Sequence, residues 1–73
     1  MTKQQREINN AAFNFVQARK ALRPIDNCPI ESLEDNLSRE RPYIISDLSK
    51  ATSYSAQMRI WKAFKTAVYN LLP

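Results

Sequence analysis

An amphipathic helix predicted over residues 55–72 constrains the fold of this chain more than any other feature. Its apolar side chains cover one half of a helical wheel: Ala56, Ile60, Trp61, Phe64, Ala67, Val68, Leu71 and Leu72. The other half holds Met58, Arg59, Lys62, Lys65, Thr66 and Tyr69. Large aromatic side chains at helical spacing are typical of a packed core. The pattern therefore predicts a last helix whose apolar half packs against the rest of the protein.

A second helical pattern predicts a first helix over residues 3–22. Thr2 and Gln5 have the spacing of a capping box, which satisfies free backbone N–H groups at a helix start. Ile8, Phe15 and Leu22 form one narrow stripe, with Ala11, Ala12, Val16 and Ala18 on its flanks. We expect the helix to end at Pro24, because a proline cannot continue the backbone hydrogen bonding.

The middle of the chain predicts two short helices. Pro29 suits a first helical position and begins a helix over residues 29–40, with Ile30, Leu33 and Leu37 inward. Pro42 ends this helix, because the residue before a proline avoids helical geometry. No second strand pattern exists to pair with residues 43–45, so a third helix over residues 46–52 is favoured there, and the structure of residues 43–45 themselves stays open.

Together these patterns predict an all-α fold, a small helical bundle that forms one domain over residues 1–73. A chain of 73 residues is too short for more than one domain. The long first and last helices are expected to pack roughly antiparallel, with the two short helices across one end.

Composition excludes most catalytic chemistry. The chain has no glycine, which phosphate-binding loops and dinucleotide-binding turns require, and no histidine, the commonest general base and metal ligand. Cys28 is the only cysteine, so the chain can form neither an internal disulfide nor a cysteine zinc site. We therefore expect a protein that is not an enzyme and holds no cofactor or metal. The single cysteine and the lack of an apolar leader or membrane-spanning run indicate a cytoplasmic location.

The charge of the chain changes sign twice along its length. Residues 1–25 carry a net charge of +4, residues 26–47 carry −4 and residues 48–73 carry +4. The acids of the middle segment fit a solvated helix exterior better than an acid–base pair, because no histidine or second nucleophile accompanies them. The basic ends favour an anionic partner.

The polar half of the last helix is the main candidate site. Arg59, Lys62 and Lys65 attract an acidic partner, and Met58 and Tyr69 offer it apolar area to bury. On the first helix, Phe13 lies outside the apolar stripe with Arg6 and Lys20, where it is either exposed or at the edge of the core. The competing interpretation of the last helix is a solvated exterior with no partner.

Residues 48–61 resemble the helix-turn-helix motif of DNA-binding regulators. In that reading Leu48 and Ala51 belong to the first helix of the motif and Ser53 stands in the place of the usual turn glycine. The residues that would reach DNA are Lys50, Gln57, Arg59 and Lys62. The register departs from the motif by one residue, since the next core position after Tyr54 falls on Arg59.

In size and basic character the chain resembles small phage- or plasmid-encoded regulators that bind host transcription machinery such as RNA polymerase. The resemblance implies docking on the acidic surface of a larger protein to inhibit or redirect it, with DNA binding as the alternative function. A membrane role is disfavoured, because giving the apolar half of the last helix to lipid would remove the largest part of the core. The chain itself is expected to be a monomer or a homodimer, since Met58, Tyr69 and Phe13 could also meet a second copy.

Overall fold

The computed structural model describes residues 2–21, 32–50 and 52–72. In these ranges the chain forms three α-helices and no strand: α1 (Lys3–Ala21), α2 (Leu33–Leu48) and α3 (Tyr54–Leu71). The all-α class predicted from the sequence is therefore confirmed. Residues 22 to 31, which include the predicted start of the second helix and the end of the first, lie outside the described residues, as do residues 1, 51 and 73.

The starts of the helices are fixed by side-chain caps. At α1 the backbone N–H of Gln5 donates to Thr2 Oγ1 at 3.1 Å, as the capping spacing predicts. Ser32 caps α2 by accepting from the Asp35 N–H at 3.2 Å, and Ser53 caps α3 in the same way. Each cap satisfies an N–H group that has no partner inside its helix.

The helix α2 passes through Pro42, so the two short helices predicted over residues 29–40 and 46–52 are wrong. A proline inside a helix costs about 3 kcal/mol, because it lacks an N–H and its ring crowds the preceding turn. Burial offsets this cost: Leu37 before the proline is buried, and Ile44, Ile45 and Leu48 after it pack on the same core. Pro42 itself is exposed, so its ring stays out of the core. Residues 43–45 are helical.

The helices run up, down and up, which makes α1 and α3 parallel and corrects the predicted antiparallel packing. Gln4 shares a groove with Ala56 and Arg59 near the starts of both helices, and the Phe15 ring meets the Phe64 ring further along both. The prediction assumed two helices between the first and the last. With a single helix between them the chain reverses direction twice, so the last helix runs in the direction of the first.

One hydrophobic core joins the three helices. Its buried members are Ile8, Ala12, Val16, Leu37, Ile60, Trp61, Phe64 and Val68. Phe64 lies at its centre, with Phe15 edge-on at 5.9 Å and Trp61 stacked at 5.5 Å between ring centroids. The sequence identified the α3 half of this core, although Leu71 is exposed near the helix end. On α1 the stripe is centred on Ala12 rather than Phe15, and Ala18 is exposed.

A candidate docking surface on the first and last helices

A shallow groove of about 330 Å³ runs between α1 and α3 on the side away from α2. The α1 wall is formed by Gln5 and Asn9, whose side chains are joined by a hydrogen bond of 3.0 Å from Gln5 Nε2 to Asn9 Oδ1. The α3 wall is formed by Arg59, Lys62, Ala63, Thr66, Ala67 and Asn70. Two of the cations predicted to bind a partner therefore line one open groove.

An exposed row on α1 flanks this groove. Arg6, Phe13 and Lys20 are seven residues apart, which is close to two helical turns, so they lie in line on one side of α1. Asn9 precedes Phe13 by four residues and therefore neighbours it on the helix surface. Phe13 is 51% exposed, which settles the choice between exposure and a core-edge position. We name Arg6, Phe13, Lys20, Arg59 and Lys62 together the basic face.

The acids of the described residues lie elsewhere. Glu34, Asp35, Glu40 and Asp47 are all on α2. Glu7 is on α1, four residues before Ala11, which lines a different groove facing α2. Within the described ranges none of the basic-face cations forms an ion pair. The basic face therefore presents uncompensated positive charge.

Met58 and Tyr69, both expected on the outward half of the last helix, lie on its α2 side and not on the basic face, although Tyr69 is 45% exposed. Met58 is half-buried against the core, and Arg41 from α2 contacts its sulfur while lying 6.0 Å from the centroid of the Trp61 ring. The Tyr69 hydroxyl donates a hydrogen bond to Glu34 Oε1 at the start of α2. Lys65 is half-buried and precedes Tyr69 by four residues, so it faces the same edge. These three residues border α2.

The contact with Glu34 changes the acidity of Tyr69. The carboxylate accepts the phenol proton, and this hydrogen bond, followed by loss of solvent and the negative charge of Glu34, raises the pKa of Tyr69 above its usual 10.0. The neutral phenol is thus the form that joins the end of α3 to the start of α2.

Residues 48–61, which resemble a helix-turn-helix motif in sequence, join two antiparallel helices. The helix α2 ends at Leu48, and Ser49 closes it with its N–H bonded to the Ile45 carbonyl. Glu34 near the start of α2 bonds Tyr69 near the end of α3, and Leu48 at the end of α2 lines a groove with Ala56 near the start of α3. Ala51, which the motif assigns to its first helix, lies outside the described residues.

The candidate DNA-contacting residues are consequently divided. Gln57 is half-buried and lines a groove with Arg41 and Ser49 on the α2 side. Lys50 lines another groove with Arg59, at the end of the bundle where α1 and α3 begin. Only Arg59 and Lys62 of the predicted set lie on the outward surface of α3.

Sequence reasoning missed a polar site between α1 and α2. Asn36 is only 5% exposed, donates from Nδ2 to the Ser32 carbonyl at 3.0 Å and accepts from Arg39 Nη2 at 3.2 Å. It borders a groove of about 480 Å³ whose α1 wall includes Phe15. The sequence offers one sign that Asn36 is buried: it follows the apolar Leu33 by three residues, so both side chains lie on one side of α2.

No cluster of three or more potential metal ligands occurs in the described part of the chain. Among these same residues, no helix combines the length and apolar character needed to cross a bilayer. Comparison with protein-family models, curated protein sequences and solved structures finds no match to this chain.

Proposed function

We propose that this chain is a non-catalytic regulatory protein that docks through its basic face on an acidic surface of a larger protein. One observation carries the proposal: Arg59 and Lys62 line a groove with Asn9 of α1, and Asn9 neighbours the exposed Phe13 in the row that also holds Arg6 and Lys20. Charges of one sign steer an oppositely charged partner, and an exposed aromatic ring supplies area to bury on arrival.

A solvated exterior explains this surface less well than a docking site does. Long cations are common on exposed helices, but the phenyl ring of Phe13 has no polar group and stays half in water. Its position between two cations in one row matches an interface, in which apolar anchors are surrounded by polar groups. Of the acids among the described residues, four are on α2, and Glu7 on α1 lies toward the groove that faces α2.

The small size and basic character of the chain favour transcription machinery, such as a host RNA polymerase, as the larger protein, which docking would inhibit or redirect. A cytoplasmic partner fits the single cysteine, which cannot form a disulfide within the chain. The alternative function, DNA binding through a helix-turn-helix, has less support, because only Arg59 and Lys62 of its candidate residues lie on the outward surface of α3.

Two single substitutions on α3 give a matched test. Lys62→Glu reverses a charge on the basic face, and Lys65→Glu makes the same change three residues later at the α2 edge. In a pull-down from bacterial lysate with the wild-type chain and both variants, we expect Lys62→Glu to reduce the retained partner about fivefold or more. Lys65→Glu should retain it. Equal retention by all three chains would remove the basic face from the interface.

A further inference from the structure

We propose that the element of the partner that occupies the basic face is an acidic α-helix, lying along the α1–α3 groove with an apolar residue between two groups of carboxylates. This inference rests on the proposed function and specifies the chemistry of the partner. It follows from the spacing of the exposed residues on α1, from the unequal charge at the two ends of the groove and from the absence of any strand in the described residues.

The spacing of the α1 row sets the spacing of its partner. At 1.5 Å of rise per residue, Arg6 and Lys20 each lie about 10.5 Å along the axis from Phe13, on opposite sides of it. A helix aligned with the groove covers the same distance in about seven residues, again close to two turns. Such a helix can contact Arg6, Phe13 and Lys20 together if one of its faces carries an apolar residue with carboxylates about seven residues before and after it.

A helix is the secondary structure that fits this surface. A partner strand binds by adding to an exposed sheet edge, and the described residues contain no strand. A groove between two helices instead receives the ridge of side chains of a third helix. Ala63 and Ala67 lie within this groove and leave room for that ridge.

The two ends of the groove differ in charge, which gives the bound helix a direction. Gln4 lines a groove with Arg59, so Arg6 lies at the same end as Arg59, and Lys62 follows Arg59 by about one helical turn. Lys20 lies at the other end, toward the end of α3, since α1 and α3 are parallel. We expect the more acidic end of the partner helix to lie beside the starts of α1 and α3.

Two synthetic peptides of about 21 residues and identical composition test this inference. The matched peptide carries its acids about seven residues on either side of a leucine on one helix face. The control peptide has the same residues with the acids moved to the opposite face. Titrated into the isotope-labelled full chain and followed by NMR, the matched peptide should bind about tenfold more tightly and shift signals of residues on α1 and α3.

Substitutions in the chain itself supply a second readout. Phe13→Ala should weaken binding of the matched peptide about tenfold, because it removes the apolar anchor. Tyr43→Ala removes an aromatic ring that is 65% exposed on α2 and should leave the affinity unchanged. Equal effects of these two substitutions would overturn the assignment of Phe13 as the anchor.

Equal affinity for both peptides, or no binding of either, would overturn the acidic helix as the occupant. Tighter binding of a 20-base-pair duplex than of the matched peptide would overturn it in favour of nucleic acid, and the binding should then weaken steeply with salt. The pull-down with Lys62→Glu uses whole partner proteins and requires no helix. A partner lost there, together with no peptide preference here, would leave the proposed docking intact and remove only the helix.

Discussion

The basic face and the helix α2 both carry many charged and polar side chains, but they use them differently. On α2, Glu34 bonds Tyr69, Arg41 lies against Met58 and Trp61, and Asn36 is buried and bonded. The basic-face cations, by contrast, form no ion pair within the described ranges. Charge alone therefore does not mark a binding surface. The useful distinction is whether a polar side chain already has a partner in its own fold.

This comparison predicts that substitutions have one of two effects, depending on where they are made. Changes at contacts made by the core or by α2 should alter the free energy of unfolding, because they break interactions of the folded chain. Changes on the basic face should alter binding and leave stability within about 0.5 kcal/mol, as is usual for surface positions.

The largest effect is expected from Phe64→Ala. Phe64 is fully buried between Phe15 and Trp61, and its removal should lower the free energy of unfolding by about 3 to 5 kcal/mol through lost burial and a new cavity. Phe13→Ala is the matched control and should cost less than about 0.5 kcal/mol, because that ring is half in water. Urea unfolding measures both. Similar losses in the two variants would contradict the contrast between core and basic face.

Pro42→Ala should stabilise the chain by about 2 kcal/mol. Alanine restores a backbone N–H inside α2 and removes the ring that crowds the preceding turn, and the greater freedom of the unfolded chain offsets part of the gain. Thermal unfolding followed by circular dichroism measures the change. A loss of stability would contradict a continuous helix through Pro42 and would favour the helix end that the sequence pattern alone predicts there.

Asn36→Ala should lower the free energy of unfolding by about 1 to 2 kcal/mol. The substitution removes the side-chain bonds to the Ser32 carbonyl and to Arg39 at a position that is only 5% exposed. Asn14→Ala, on the α1 side of the same groove, is exposed and should stay within about 0.5 kcal/mol. Equal effects in urea unfolding would mean that Asn36 adds nothing beyond an exposed amide.

The smallest effect is expected at Tyr69 and depends on pH. Because the folded chain raises the pKa of this phenol above 10.0, the hydrogen bond to Glu34 stabilises the fold at lower pH, where the phenol is neutral. That stabilisation should be lost as the pH rises through the raised value. NMR of a tyrosine-labelled chain gives the pKa, and Glu34→Ala should lower it toward 10.0. An unchanged pKa in that variant would contradict the contact.

Much of the fold follows from local sequence rules. Thr2 and Gln5 identify the start of α1, and the apolar half of the last helix correctly includes Ile60, Phe64 and Val68. These features depend on neighbours within one or two turns, and such spacing is visible in the sequence.

The remainder depends on contacts between helices, which local rules do not contain. Pro42 was expected to end a helix, but packing of Leu37 and Ile44 on one core outweighs its local cost. Because α2 is one continuous helix, α1 and α3 are parallel. The positions of Met58 and Tyr69 depend on Arg41 and Glu34, which are 17 and 35 residues away in sequence. The exposure of Arg59, Lys62 and Phe13 thus follows from the sequence pattern, whereas the placement of Met58 and Tyr69 beside α2 does not.

The parallel packing of α1 and α3 brings the start of α1, with Arg6, to the same end of the bundle as Arg59. Spin labels on cysteines at Arg6 and Arg59, or at Arg6 and Asn70, with Cys28 replaced by serine, test it directly by electron paramagnetic resonance. Positions 59 and 70 are about 16 Å apart along α3. Parallel packing predicts a clearly shorter distance between the labels for the pair at Arg6 and Arg59. A shorter distance for the pair at Arg6 and Asn70 would mean antiparallel helices and would contradict it.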